Sequence, residues 1–303
     1  MKSLNFCVLG DEEIARQLGK KGTTSDITIY DRKDTGVIRT FTVPTSFPDK
    51  IQPLFQALNI AEHVIFHIAK LDKFTGEQIV AIDALGKRSG LLTHSYDIDP
   101  LQLKAMLKNT SLKDFRIVER DDIKKEVEAM EPISTEGDVE VVIDHFFDVK
   151  GVGTVLLGKV SKGTLKVHDT LKLLTSGQDV LVKSMQMHDD PVSEAHCPAR
   201  VGMAVKGIKP DDVQRGDILA SSGSVFGELE LEFRKSPFYK DDIMENQTFI
   251  VNIGLQMKPC KIVSVSPLRI SLTKPAVVSR EDRLVLLKPE SQTTRIIGHG
   301  SIK

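Results

Sequence analysis

Apolar residues along roughly the first 130 positions alternate between two rhythms. Leu4 to Leu9 is an unbroken apolar run, the mark of a strand covered on both faces, and Glu12 to Leu18 then sets Ile14, Ala15 and Leu18 at helical spacing. Ile27 to Tyr30, Ile38 to Val43 and Val64 to Ile68 are β-branched strand segments, while Ile51 to Ala61, Thr75 to Leu85 and Pro100 to Leu107 carry helical patterns. Strands alternating with helices predict β-α-β units around a largely parallel, doubly covered sheet.

After Glu136-Gly137 the rhythm changes. Short β-branched runs punctuated by Gly, Pro and Asp follow at Val139 to Phe147, Thr154 to Val160, Thr170 to Leu174, Val180 to Met187 and Arg200 to Val205, with no convincing helix among them. That spacing predicts a barrel or a sandwich. Gly216 to Leu219 followed by Ser221 to Ser224 reads as a linker, and a second all-β block runs from Leu229 to Ile302. The expected units are an α/β domain at 1–136 and β domains at 137–224 and 225–303.

Composition narrows this only slightly. A net charge of −1 gives no general attraction to DNA or to an anionic membrane, so a polyanion would have to meet a local patch. From Phe226 on there are 12 Lys/Arg against 9 Asp/Glu, which leaves the rest of the chain acidic. Cys7, Cys197 and Cys260 form no C-x-x-C and are expected to be buried reduced thiols rather than metal ligands. No apolar run is long enough to span a bilayer, and no signal-like segment opens the chain, which points to a cytoplasmic protein.

The first strand-to-helix turn is the place to look for a phosphate-binding loop. Such a loop needs Gly-x-x-x-x-Gly-Lys-Ser/Thr, because glycines let backbone N–H groups wrap phosphates, the Lys neutralises them and the hydroxyl ligates Mg²⁺. Counting from Gly10, those last three positions are Ala15, Arg16 and Gln17. Asp11, Glu12 and Glu13 stand where triphosphate charge would lie, a repulsion of about a few kcal/mol in a partly dry site. Only Arg16 could still hold an anion.

The segment from Val141 to Ala220 is the most informative. It contains Asp144 to Val155 (DHFFDVKGVGTV), Gly158-Lys159-Val160, Gly163 to Asp169 (GTLKVHD) and Val205 to Ala220 (VKGIKPDDVQRGDILA). Singly, Gly151, Gly153, Gly163 and Gly216 read as tight-turn residues. Together and in order, the motifs closely resemble the second domain of the translational GTPases of the EF-Tu and SelB group. The nearest resemblance is to archaeal SelB-like proteins, with the type proposed for pyrrolysine-using methanogens among the candidates.

That resemblance implies an α/β G-domain-like unit of P-loop NTPase fold followed by two all-β barrels, with GTP and Mg²⁺ as the family's cofactors. It also locates the family's other nucleotide motifs. The metal-linked Asp-x-x-Gly falls on Val43-Pro44-Thr45-Ser46, and the water-positioning His that follows falls on Phe47. Guanine-reading Asn-Lys-x-Asp falls on His94-Ser95-Tyr96-Asp97, where only Asp97 matches, and the Ser-Ala pair closing the base pocket falls on Glu119-Arg120. No catalytic residue and no metal ligand is assigned, and any remaining nucleotide contact would come from Gly10, Ala15, Arg16, Gln17 and Asp97.

In this family the second domain holds the aminoacyl end of tRNA. The resemblance therefore makes aminoacyl-tRNA the expected partner, with the ribosome as a second, and Arg200, Lys206, Lys209 and Arg215 the candidate contacts. An acidic residue usual before the Val-Gly pair is replaced by Ala199-Arg200. Lys258, Lys261, Arg269, Lys274, Arg280, Arg283 and Arg295 are further positive candidates in the last block, chosen for charge alone. The leading reading is a SelB-like elongation-factor paralogue with weakened or lost GTP binding and hydrolysis. Its rivals are an active GTPase with an atypical site using Arg16 and Asp97, and an interaction protein that kept only the scaffold.

Overall fold

The computed structural model describes residues 1–303. The first unit runs β1 (Lys2–Leu9), α1 (Glu12–Leu18), β2 (Lys20–Thr24), β3 (Thr28–Asp34), β4 (Val37–Val43), α2 (Gln52–Ile60), β5 (His63–Ile68), α3 (Lys73–Ala84), β6 (Gly90–His94), α4 (Pro100–Leu107), β7 (Arg116–Ile117) and α5 (Ile123–Ala129). Its sheet order is β2-β3-β4-β1-β5-β6-β7. β4, β1, β5, β6 and β7 are mutually parallel, and the β2-β3 edge is antiparallel. β1 and β5 lie at the centre and are buried almost throughout, which accounts for their unbroken apolar runs.

The second unit runs β8 (Glu140–Val149), β9 (Gly153–Lys162), β10 (Thr164–Lys166), β11 (Thr170–Leu173), β12 (Gln178–Met187), β13 (Asp190–Val192), β14 (Glu194–His196), β15 (Arg200–Lys206) and β16 (Ile218–Ala220). Six of these strands close a ring, β11-β16-β8-β9-β15-β12, through the pairing of β12 back to β11, so barrel rather than sandwich is the outcome. The stretch read as a linker from Gly216 is largely not one. Ile218 and Leu219 pair with Val142 and Val141 of β8 and are buried, because two apolar residues between turn formers complete the ring.

The third unit is a closed barrel of β17 (Val225–Lys235), β18 (Thr248–Ile253), β19 (Gln256–Val265), β20 (Leu268–Val277), β21 (Leu284–Leu287) and β22 (Ile296–Ile302). No α-helix follows Ala129. No helix is long and apolar enough to cross a membrane. The three cysteines are free and buried, as expected.

The units are fastened to one another. One continuous cluster of 29 buried side chains takes most of its members from the α/β unit and adds Leu255, Val285, Leu287 and Ile296 from the third barrel. Polar contacts reinforce that seam. Arg295 enters from β21-β22 and donates to both carboxylate oxygens of Glu77 on α3 and, at 2.7 Å, to the Pro48 carbonyl. Its guanidinium also stacks 5.6 Å from the Phe47 ring centroid. Asn59 on α2 donates to Asn252 and Gly254 at 3.1 and 2.8 Å. On the other side, Lys159 of β9 reaches the last carbonyls of α2, Asn59 and Ile60, and pairs with Glu62 at 2.7 Å.

Arg295 and Glu77 are 8 % and 7 % exposed, so removing either one strands a desolvated charge. Arg295→Met is expected to lower the free energy of unfolding in urea by about 3–5 kcal/mol, and Arg295→Met with Glu77→Leu to recover most of that loss. Equal destabilisation by the single and the double variant would contradict a buried, mutually dependent pair.

Candidate functional site

The first candidate region is the carboxyl end of the α/β sheet, where β1, β4, β5 and β6 deliver their terminal loops. Gly10 leaves β1 at φ +83, and a Cβ there would stand 1.8 Å from the His67 carbonyl oxygen, so both the turn and the approach to β5 require glycine. Only Asp11 then separates Gly10 from α1. Its carboxylate accepts from the Glu13 amide at 2.9 Å as an N-cap, and Glu12 and Glu13 occupy the first turn, where the helix dipole favours acids.

Ala15, Arg16 and Gln17 lie inside α1, as the helical spacing from Glu12 to Leu18 predicts; Ala15 is buried and Arg16 pairs along the helix with Glu12 at 3.3 Å and Glu13 at 3.8 Å. The loop is shortened as well as altered in chemistry. The acids that looked like phosphate repulsion are the start signal of a helix, so the amide groups that would face an anion are met by the chain's own carboxylate.

Across the same region, Arg120 from the loop after β7 donates to Asp11 at 2.6 Å. Burial works to raise the Asp11 carboxyl, but the Arg120 contact and the Glu13 amide outweigh it and hold it below the usual range. His67, at the end of β5, is 9 % exposed, with Nδ1 unpartnered and Nε2 3.5 Å from Ser95 Oγ. Its burial, and next the Arg120 charge, push the imidazole down, so it is neutral at pH 7. Asp97 is exposed in the turn after β6, next to the fully exposed Tyr96.

The stretch Val43-Pro44-Thr45-Ser46-Phe47 follows β4, and it offers no acid to a metal ion. Val43 is buried in the core, and Phe47 packs edge-on against Phe74 at 6.2 Å and beneath Arg295. No three His, Cys, Asp or Glu side chains converge anywhere in the chain as metal ligands. What remains is a cleft of about 310 Å³ bordered by Gly10, Asp11, Thr45, Phe47, His67 and Phe74. At this cleft the loop from β1 is Gly10-Asp11 alone, the stretch Val43 to Phe47 after β4 presents no acid, and Arg120 is tied to Asp11.

The second candidate region is the outer face of the second barrel. Alternation along β8, β9 and β15 turns His145 and Phe147, then Val155, Leu157 and Lys159, then Arg200, Gly202 and Ala204 away from the barrel core. Register brings them into rows: Phe147 opposite Val155, Leu157 opposite Gly202, and Ala204 opposite Val155. Phe147 is 43 % exposed, and the missing side chain at Gly202 lets Leu157 lie close over the strand, where a Cβ would stand 3.2 Å from it. Lys206 and Lys209 stand exposed beyond the apolar strip.

Arg200 and Arg215 are engaged within the protein. Arg200 donates to both oxygens of Asp144 at 2.9 and 2.6 Å, and His145 Nδ1 sits 2.6 Å from the same carboxylate. Arg215 donates to Asp26 at 2.9 and 3.0 Å, to Gln56 at 3.2 Å and to the Asp144 carbonyl at 3.2 Å, which ties the second barrel to the α/β unit. Of the third-barrel candidates, Arg295 is spent on its seam and Lys258 is buried. Asp26, Glu62 and Glu77 carry no spacing signal in the sequence, being isolated acids in unrelated segments, and Asp144 is visible there only as the first residue of a motif.

Burial alone would raise the Asp144 carboxyl, yet the Arg200 charge and the His145 contact bring it down to about 2. A folded-state value below the unfolded one stabilises the fold above about pH 4, and that contribution is lost as pH falls toward 2. Urea unfolding of the native protein is expected to lose about 2 kcal/mol to this group across that window. Asp144→Asn should start less stable and lack that share of the acid dependence; an identical pH slope would contradict the assignment.

Known proteins share both the sequence motifs and this architecture. Residues 153–220 match the family model "Elongation factor Tu domain 2". An uncharacterized protein of Methanocaldococcus jannaschii is 34 % identical over the full length of both chains. The selenocysteine-specific elongation factor of the same organism is 29 % identical over 214 residues, which cover 62 % of this chain and 46 % of that factor. Among solved structures, elongation factor SelB of Methanococcus maripaludis, in complex with the GTP analogue GppNHp, aligns over 100 % of this chain and 79 % of its own at a TM-score of 0.83 and 22 % identity. The α/β unit followed by two barrels, expected from the sequence, is thereby matched as a fold.

Proposed function

The chain belongs to the EF-Tu/SelB-like family of translational GTPases, and we propose that it is a translation-factor paralogue that holds the aminoacyl end of a tRNA without a GTP cycle. The observation that carries this reading is the contrast between the two regions. At the sheet end, a nucleotide would need a loop that has shrunk to Gly10-Asp11, and it would have to break the Arg120–Asp11 pair. On the second barrel, by contrast, Phe147, Val155 and Leu157 form an outward apolar strip bordered by exposed lysines. Such a strip suits a stacked terminal base and an ester, with Lys206 and Lys209 toward phosphates.

The seam to the third barrel supports the same reading. Phe47, which falls at the family's water-positioning position, is built into the clamp around Arg295. A factor held together in this way binds its partner from a preset shape, at a lower ordering cost. Release would then depend on the partner rather than on hydrolysis.

Two measurements test it. Titration with labelled GTP and GDP in the presence of Mg²⁺ is expected to show no micromolar guanine-specific binding; such binding would favour the active-GTPase reading instead. Protein added to aminoacyl-tRNA is expected to slow hydrolysis of the ester. Lys206→Glu with Lys209→Glu should weaken that binding about tenfold and lower its log-log salt slope by about 1 for each phosphate that a lysine had neutralised. Failure to protect any aminoacyl-tRNA would overturn the delivery role and leave an interaction scaffold.

A further inference from the structure

At the opposite end of the α/β sheet lies a cleft of about 560 Å³, between the C-terminal end of α2 and the start of β6. Its charged lining is Lys87, Arg88, Arg116 and Lys159 against Glu62 and Asp114, four cations to two carboxylates. The carboxylates are already engaged. Glu62 accepts from Lys159 at 2.7 Å and from Asn5 at 2.8 Å, and Asp114 meets Arg88 at 3.4 Å. Arg116 pairs with Glu126 of α5 at 2.6 Å.

Lys87 is the exception. It forms no ion pair, and its Nζ donates to the neutral carbonyl of Ala61 at 2.6 Å. Desolvation first and the Lys159 charge second push this ammonium down to about 8, while Glu62 favours its charge. Of the other titratable neighbours, Cys7 is pushed up to about 12 by burial, and His63 is pushed down by burial, so both are neutral at pH 7. Arg88, Asp114 and Arg116 complete the charged surroundings at the mouth. Capping the end of α2 accounts for Lys159, which brings its own carboxylate. It does not account for a second, half-buried ammonium without one.

We propose that this cleft binds a small phosphorylated molecule, its phosphate held by Lys87 with Arg88 and Arg116 at the mouth. A phosphate supplies the missing counter-charge, and its oxygens suit the forked guanidinium donors. The volume lies within the range of ordinary small-ligand sites. Met130 and Ile133, the latter 46 % exposed, border the cleft and give an apolar surface for the rest of the ligand. The site stands apart from the sheet-end cleft and from the second-barrel face, and it does not depend on the tRNA reading.

Calorimetric titration of inorganic phosphate into the full-length protein, at constant ionic strength in two buffers of different ionisation heat, tests it. Saturable binding is expected with net proton uptake near pH 8, because phosphate restores the charge on Lys87. Affinity should fall as pH rises from 7.5 to 9, and both Lys87→Gln and Arg88→Gln should weaken it at least tenfold. Arg88 is 70 % exposed at its side chain, so its variant is a fair test even if loss of the Lys87–Ala61 hydrogen bond disturbs folding. Heats no different from a chloride control, or an unchanged affinity in Arg88→Gln, would overturn the proposal.

Discussion

A single guanidinium, Arg295, decides how the molecule is put together. It brings the third barrel's charge into a nearly dry seam, where Glu77 neutralises it, the Pro48 carbonyl accepts a hydrogen bond from it and the Phe47 ring lies against it. A charge so placed is tolerable only with all of its partners present. The loop after β4, helix α3 and the third barrel therefore share one arrangement. The apolar members Leu255, Val285, Leu287 and Ile296 extend the α/β core across the same seam, so the barrel is part of that core and not an appendage to it.

The sheet-end region follows from that constraint and from the start of α1. In a fold of this kind the loops after β1, β4 and β6 ordinarily face a common ligand. Here the first is capped by its own Asp11, the second is drawn into the Arg295 clamp, and the third carries only an exposed Asp97. Arg120 closes across the opening. The first two loops have found internal partners, and those contacts compete with any ligand.

The second barrel shows the opposite economy. A half-buried polar chain runs from Arg200 through Asp144 to Arg215 and on to Asp26 and Gln56, so Arg200 is held within the barrel and Arg215 ties the barrel to the α/β unit. The outward strip remains free of such ties. Lys206 and Lys209 are left as its exposed positive border.

The sequence by itself determined the alternating α/β unit, the two β units and the family, because buried strands and helices carry period and tight turns demand glycine. The positive φ of Gly151, Gly153, Gly163 and Gly216 is of that legible kind. The absence of Gly-Lys-Ser/Thr at the first turn was also legible, as was the helical spacing from Glu12 to Leu18, whereas the Arg120 contact that meets the Asp11 cap was set by the fold. Roles of single charges were decided by tertiary structure alone. Arg215, Arg295 and Lys159 look like any surface cation in sequence, since their partners Asp26, Glu77 and Glu62 lie 97 to 218 positions away. Ion pairing between distant segments has no period to read, and whether a charge meets solvent, a ligand or its own chain is settled only when the three units close on one another.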